Sequence, residues 1–126
     1  MITIFDRKGF TALLKLKTHT LVNADLHDAD LPEANLVEVD LSGCDLSQAN
    51  LTDADLRLAR LIGANLKYAR LTGADLHGAD LSGADLSNAE ITVKELEGAR
   101  LDGAQLPAPC RRGLSLSSIP IKKAPD

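Results

Sequence analysis

Eighteen carboxylates, three histidines and two cysteines are the side chains of this 126-residue chain that could do acid–base, metal or thiol chemistry. Their spacing argues against all three. A hydrolytic centre needs a nucleophile, a base and an orienting group brought together. His27 and His77 fall on different sides of the coil derived below, and His19 stands near the start. No Cys/His cluster has zinc-site spacing. Gly43, Gly63, Gly83 and Gly103 recur every twenty residues and not as a phosphate-binding loop; they mark one corner, where a turn takes positive φ. Asn35, Asp55, Asp75 and Glu95 also stand twenty apart. Stacked, the acidic strip Asp55, Asp75 and Glu95 would suit a cation. Local bonding of Asp and Asn to turn backbone is the plainer account of these residues. No cofactor, metal or enzymatic activity is expected.

Charge is segregated along the chain. Residues 21–106 carry sixteen acids and six bases, a net of −10, while residues 1–20 and 107–126 each carry a net of +3. From Asp25 to Asp55 there are nine acids and no base. Arg57, Arg60, Lys67 and Arg70 then follow with no acid among them, before Asp75 to Glu90 adds four more acids. These four cations are the candidate contacts for an acidic partner. Direct nucleic-acid binding is not expected, because the surrounding acids repel phosphate and aromatic stacking platforms are missing.

The elements that must position these residues follow from one period. From Leu21 to Leu106 every fifth residue is leucine, eighteen in a row, with Ile91 the single exception. On a helix, leucines five apart would step round by about 140° and leave no apolar stripe. On a flat strand five is odd, so successive leucines would point to opposite faces. The chain must bend every five residues to return each leucine to one interior. Four bends close a square of twenty residues, and the block makes 4.5 such coils. A small residue, mostly alanine, precedes each leucine by two, except His19 before Leu21 and Lys94 before Leu96, and fits inside where the chain turns. Burial of each leucine contributes roughly 1.5–3 kcal/mol, enough for a core with almost no aromatics. Residues twenty apart then stack, so Asp40, Arg60, Asp80 and Arg100 form a ladder of alternating sign.

The triplets Ala24-Asp25-Leu26, Ala34-Asn35-Leu36, Ala49-Asn50-Leu51 and Ala84-Asp85-Leu86 carry an A-(D/N)-L-x-x pattern. This resembles the pentapeptide repeat family over about two thirds of the chain. The resemblance implies an all-β solenoid, a right-handed quadrilateral parallel β-helix of about four coils. Many short members of that family have no assigned molecular role. The resemblance, with an even, pocketless surface, implies a rigid protein–protein interaction module with an unidentified protein partner. The alternative it implies is a DNA mimic that inhibits or protects DNA gyrase, as in quinolone-resistance members. The shortness of the rod, the lack of phenylalanine centres and the Arg57–Arg70 belt weigh against that alternative.

Outside the repeat, residues 1–20 are expected to cap the first coil. Phe10, Leu13 and Leu14 are spaced for a short helix that Asp6 could cap; a membrane-binding amphipathic segment is the sharper, less favoured reading. Lys94 stands at a small inward position, so a bulge over Thr92–Glu95 should carry it outward. Residues 107–126 form a basic tail with proline and serine, or a cover in which Leu114, Leu116, Ile119 and Ile121 pack on the last coil. Cys44 belongs inside and Cys110 in that tail, so no bond joins them. With no run of eighteen apolar residues and no signal-peptide pattern, a cytoplasmic location without membrane contact is expected. A poorly covered end coil would permit weak end-to-end self-association.

Overall fold

The computed structural model describes residues 1–108 and 110. The leucine block forms a four-sided column whose coils are twenty residues long. Parallel single-residue bridges join Asp25 to Asp45, Asp40 to Arg60, Arg60 to Asp80, Asp80 to Arg100, and Asn65 to Asp85. Each rung is tied from both sides: Leu26 N–H donates to Asp45 O at 2.7 Å, and Asp45 N–H donates to Ala24 O at 2.9 Å. Backbone groups on each side of the square are thus satisfied by the coil above and the coil below.

A tight turn links one side to the next. Alanine donates its N–H to the preceding leucine O, as in Ala24 to Leu21 at 3.0 Å and Ala64 to Leu61 at 3.1 Å. The residue before alanine has positive φ, the requirement of a type II turn at its third position. Glycine supplies it at Gly63 (φ 68°), but Asn23 (62°), Leu58 (61°) and Tyr68 (61°) adopt it as well. Ten of the Asp and Asn residues before leucine brace the following turn. Each carboxylate or amide oxygen accepts the backbone N–H two residues on, at 3.0–3.3 Å.

The interior is a stack of leucines with alanines between them, all essentially without exposure from Leu41 to Leu86. Cys44 occupies an alanine position, and its thiol donates to Leu21 O at 2.7 Å.

The N-terminal helix does not form. Strand β1 (Ile2–Phe5) pairs antiparallel with β2 (Ala12–Leu16), Ile2 opposite Leu16 and Ile4 opposite Leu14. Ile2, Ile4, Leu14 and Leu16 pack on the core with strand alternation, joined by Leu13 where the pairing register shifts, and the helical spacing of Phe10, Leu13 and Leu14 is not used. Asp6 caps a turn in place of a helix: its Oδ1 accepts the N–H groups of Phe10 (2.9 Å) and Thr11 (3.1 Å), leaving Phe10 in solvent. The hairpin closes the open edge of the first coil, where Asn35 N–H donates to Phe5 O and Arg7 N–H to Glu33 O.

The repeat is interrupted at Thr92–Glu95 by a single helical turn α1 (Val93–Leu96) with Lys94 exposed, and the twenty-residue pairing resumes at Arg100. Cys110, in the segment that follows the last leucine, is buried; its thiol donates to Ile91 O at 3.2 Å. Leu114, Leu116, Ile119 and Ile121 lie outside the described residues.

Leu58 and Tyr68 hold the left-handed turn conformation at a steric cost that glycine does not bear. Leu58→Gly and Tyr68→Gly should each raise unfolding free energy by about 1 kcal/mol. Leu56→Ala, in the buried stack, should lower it by about 3 kcal/mol. Urea denaturation followed by circular dichroism measures all three.

Candidate interaction surface

On the column, sequence neighbours separate and residues twenty apart meet. Arg57 and Arg60 flank the corner between the sides centred on Leu56 and Leu61. Lys67 and Arg70 flank the corner between the sides centred on Leu66 and Leu71. Those corners are half a coil apart and diagonally opposite. The four cations are therefore two pairs facing away from each other, because each five-residue step turns the chain onto a new side.

Their partners differ too. Arg57 Nε and Nη2 donate to both oxygens of Asp55 at 2.8 Å. Asp55 is buried, and Arg57 is its main contact with charge of opposite sign. That hydrogen bond, aided by the Arg57 N–H and charge, holds the Asp55 carboxyl below the usual carboxylate range. Lys67 Nζ lies 3.7 Å from Asp85. Among the described residues, neither Arg60 nor Arg70 has a carboxylate within 4.0 Å. Large apolar side chains accompany these two: Leu58 (54% exposed) and Ile62 (40%) beside Arg60, and Tyr68 (57%) beside Arg70. An open groove of about 570 Å³ runs past Tyr68 and Arg70, between Asp28, Asp30 and Glu90. The apolar residues beside the cations were not singled out from the sequence, although their departure from the glycine, serine and asparagine of neighbouring coils is visible there.

The acidic strip loses a member. Asp55 and Asp75 do stack, but Glu95 does not join them. Its carboxylate turns to Thr92 N–H (2.7 Å), Thr92 hydroxyl (2.6 Å) and Gly73 N–H (3.0 Å), the bonds that fold α1. Arg57 Nε also lies 4.0 Å from Asp75 Oδ2, so the remaining pair of acids is relieved by one guanidinium.

One mixed cluster exists elsewhere: ligand atoms of Asp25, His27 and Asp45 lie within 4.8 Å of one another. Local bonds account for it, since His27 Nδ1 meets Asp25 Oδ1 at 2.6 Å and Asp45 Oδ1 accepts the Ser47 hydroxyl at 2.6 Å. All three sit on or near the open surface. The hydrogen bond to Asp25 and the nearby Asp25, Asp28 and Asp45 charges push the His27 imidazole above its ordinary 6.5.

The family model for pentapeptide repeats matches residues 21–57 and 54–92, in eight copies. The chain belongs to the pentapeptide repeat family. Pentapeptide repeat proteins form right-handed quadrilateral β-helices, the architecture described above. A pentapeptide repeat protein of the Arabidopsis thaliana thylakoid lumen is 34% identical, with a TM-score of 0.56. That match spans 68% of this chain and 56% of the other's length. A pentapeptide repeat protein from Nostoc Pcc 7120 is 36% identical over 74% of this chain and 78% of its own, TM-score 0.41. QnrB1, a plasmid-mediated fluoroquinolone resistance protein, is 24% identical over 68% of this chain and 54% of its own, TM-score 0.35. Among curated proteins nothing matches the chain.

Arg57 and Arg60 separate by experiment. Arg57→Ala, which leaves buried Asp55 without its cation, should cost about 1 kcal/mol of stability, and Arg60→Ala less than about 0.5 kcal/mol. Equal losses by thermal denaturation would show that the Asp55–Arg57 pair is not structural. For His27, charge is retained to higher pH in the folded state. Its contribution to stability is therefore present below pH 6.5 and lost as pH rises through the raised folded value. An NMR titration should find the His27 midpoint above 6.5 and returning towards it in Asp25→Asn.

Proposed function

We propose that this pentapeptide repeat protein is a non-enzymatic, rigid protein-binding column of the cytoplasm. Its partner is an acidic protein that engages one of the two cationic corners. The observation that carries this reading is the pairing, at Arg60 and at Arg70, of exposed large apolar side chains with a guanidinium that, among the described residues, has no carboxylate within 4.0 Å. Arginine and tyrosine between apolar neighbours are the chemistry in which binding energy concentrates at protein interfaces. The column holds them on backbone rungs fixed from above and below, so little ordering is left to oppose binding. Two buried free cysteines, Cys44 and Cys110, agree with a reducing compartment. No helix among the described residues is long and apolar enough to cross a membrane.

The second reading, a DNA mimic acting on gyrase, draws on the net −10 of residues 21–106. The cations at 57–70 interrupt that negative surface, and the likeness to QnrB1 adds nothing to it.

Because the cations form two opposed pairs, the deciding variants are Arg57→Glu/Arg60→Glu and Lys67→Glu/Arg70→Glu. Affinity capture with wild type should retain a partner that one double variant loses and the other keeps. Identical partner sets for all three proteins would refute recognition through these corners. Inhibition of gyrase supercoiling by the purified protein would favour the mimic instead.

A further inference from the structure

The repeat supplies its own comparison for each surface position, because every side of the square is built several times. On the side centred on Leu41, Leu61 and Leu81, the rungs above and below the middle one are closed by local bonds. Asp40 Oδ1 accepts the Ser42 N–H at 3.1 Å, and Asp80 Oδ1 accepts the Ser82 N–H at 3.0 Å and hydroxyl at 2.6 Å. The middle rung gives up this bond. Arg60 replaces the aspartate and has no acceptor to offer, and Ile62 replaces the serine and stands 40% exposed. At the corner leading into the same rung, Leu58 takes the left-handed position (φ 61°) that Gly78 and Gly98 hold below it. Leu58 is fixed there by lying over Gly78, where an added Cβ would meet Leu58 Cδ2 at 2.6 Å.

Three departures from the neighbouring rungs thus fall within five residues: no aspartate brace, an apolar residue for serine, and at the corner a bulky apolar residue between the polar Glu38 above and Gly78 below. The strain and the exposed apolar surface both oppose folding. Such departures, uncompensated in the fold, mark functional positions. We propose that Leu58, Arg60 and Ile62 form a docking strip for an extended protein segment that sets one carboxylate between two apolar side chains. This deepens the interaction-module reading and rests on it.

Charge selects the acidic occupant. Arg60 stands between Asp40 and Asp80 in the ladder, yet both carboxylates are turned to their own serines and neither comes within 4.0 Å of the guanidinium. An incoming carboxylate therefore meets a cation that attracts Asp40 and Asp80 through space but has no direct contact with either to break. The outward residues are two apart, the interval at which an extended partner presents successive side chains of one face. Beside Ile62 the corner is low, because Gly63 has nothing within 4 Å of where a Cβ would be. A partner backbone can approach there without obstruction.

The test uses two labelled synthetic peptides, one with glutamate midway between two leucines at alternate positions and one with lysine in its place. By fluorescence anisotropy, wild type should bind the glutamate peptide about ten-fold more tightly, and Arg60→Glu should reverse that preference. Leu58→Gly and Ile62→Ser should each weaken binding about three-fold or more while melting at or above the wild-type temperature, which separates lost contacts from lost fold. Lys67→Glu/Arg70→Glu should leave peptide affinity unchanged. No glutamate preference in wild type, no reversal by Arg60→Glu, or equal loss in Lys67→Glu/Arg70→Glu would each overturn the strip. So would a wild-type dimer in sedimentation that Leu58→Gly dissociates, since the occupant would then be a second copy. If a captured natural partner survives Leu58→Gly/Ile62→Ser, the strip is wrong and the module reading stands. If the column retains no partner at all, the module reading itself fails.

Discussion

The left-handed residue at each corner is the constraint from which the rest of the structure follows. A chain can close a square in twenty residues only if every fifth step includes a tight turn, and that turn places its third residue at positive φ. Once the corner is made, the leucine is directed inward, the position beside it takes a small side chain, alanine in most coils, and the next side lies over the rung twenty residues on. Glycine meets the requirement without strain, but nine corners among the described residues use another residue type. The aspartates and asparagines before leucine help to hold those corners by accepting the turn N–H. The acidity of residues 21–106 is therefore in large part a by-product of turn construction, which weakens any functional argument drawn from net charge alone.

This dependence decides what could be read in advance. The inward rows, the glycine corner, the aspartate braces and the ladder Asp40–Arg60–Asp80–Arg100 were legible because each repeats with a fixed period and each obeys a local rule. The hairpin was not. Ile2, Ile4, Leu14 and Leu16 alternate over two segments too short to outweigh the helical spacing of Phe10, Leu13 and Leu14, and each occurs once, so no period marks their pairing. Glu95 failed for a related reason. Its place in the acidic column assumed an unbroken register, whereas three hydrogen bonds to Thr92 and Gly73 are available only if the chain leaves it. Period identifies what repeats and is silent on where a stronger local bond interrupts.

The candidate cations illustrate the same limit from the other side. Arg57, Arg60, Lys67 and Arg70 form one run in sequence, and a run invites reading as a patch. The square coil distributes them to opposed corners, where burial then assigns them different work. Arg57 neutralises Asp55, whose carboxylate would otherwise sit buried and unpaired. Lys67 lies near Asp85. Arg60 acts on Asp40 and Asp80 only through space, and neither it nor Arg70 has a carboxylate in direct contact among the described residues. Charge in the sequence counted four equivalent residues, and geometry leaves two free for recognition.

The ends of the column sharpen where recognition can occur. At the first coil, β1 spends its edge on residues 33–35, and Ile4 fills the opening above the leucine stack. Near the other end, Cys110 reaches under Ile91 and takes its free carbonyl. Each closure takes up part of an end edge, residues 33–35 at the first coil and the Ile91 carbonyl at the other. The nine acids from Asp25 to Asp55 in the first coils would repel a like end. The sides are different: their backbone is already satisfied by neighbouring coils, so only side chains distinguish one rung from the next. A side that repeats Asp-Leu-Ser on the rungs above and below gives a partner nothing to choose between, whereas a rung reading Arg60-Leu61-Ile62 after Leu58 differs in charge, shape and polarity at once. In a solenoid this regular, specificity has to reside in departures from the repeat, and the rung from Leu58 to Ile62 departs in its side chains while its backbone keeps the repeat.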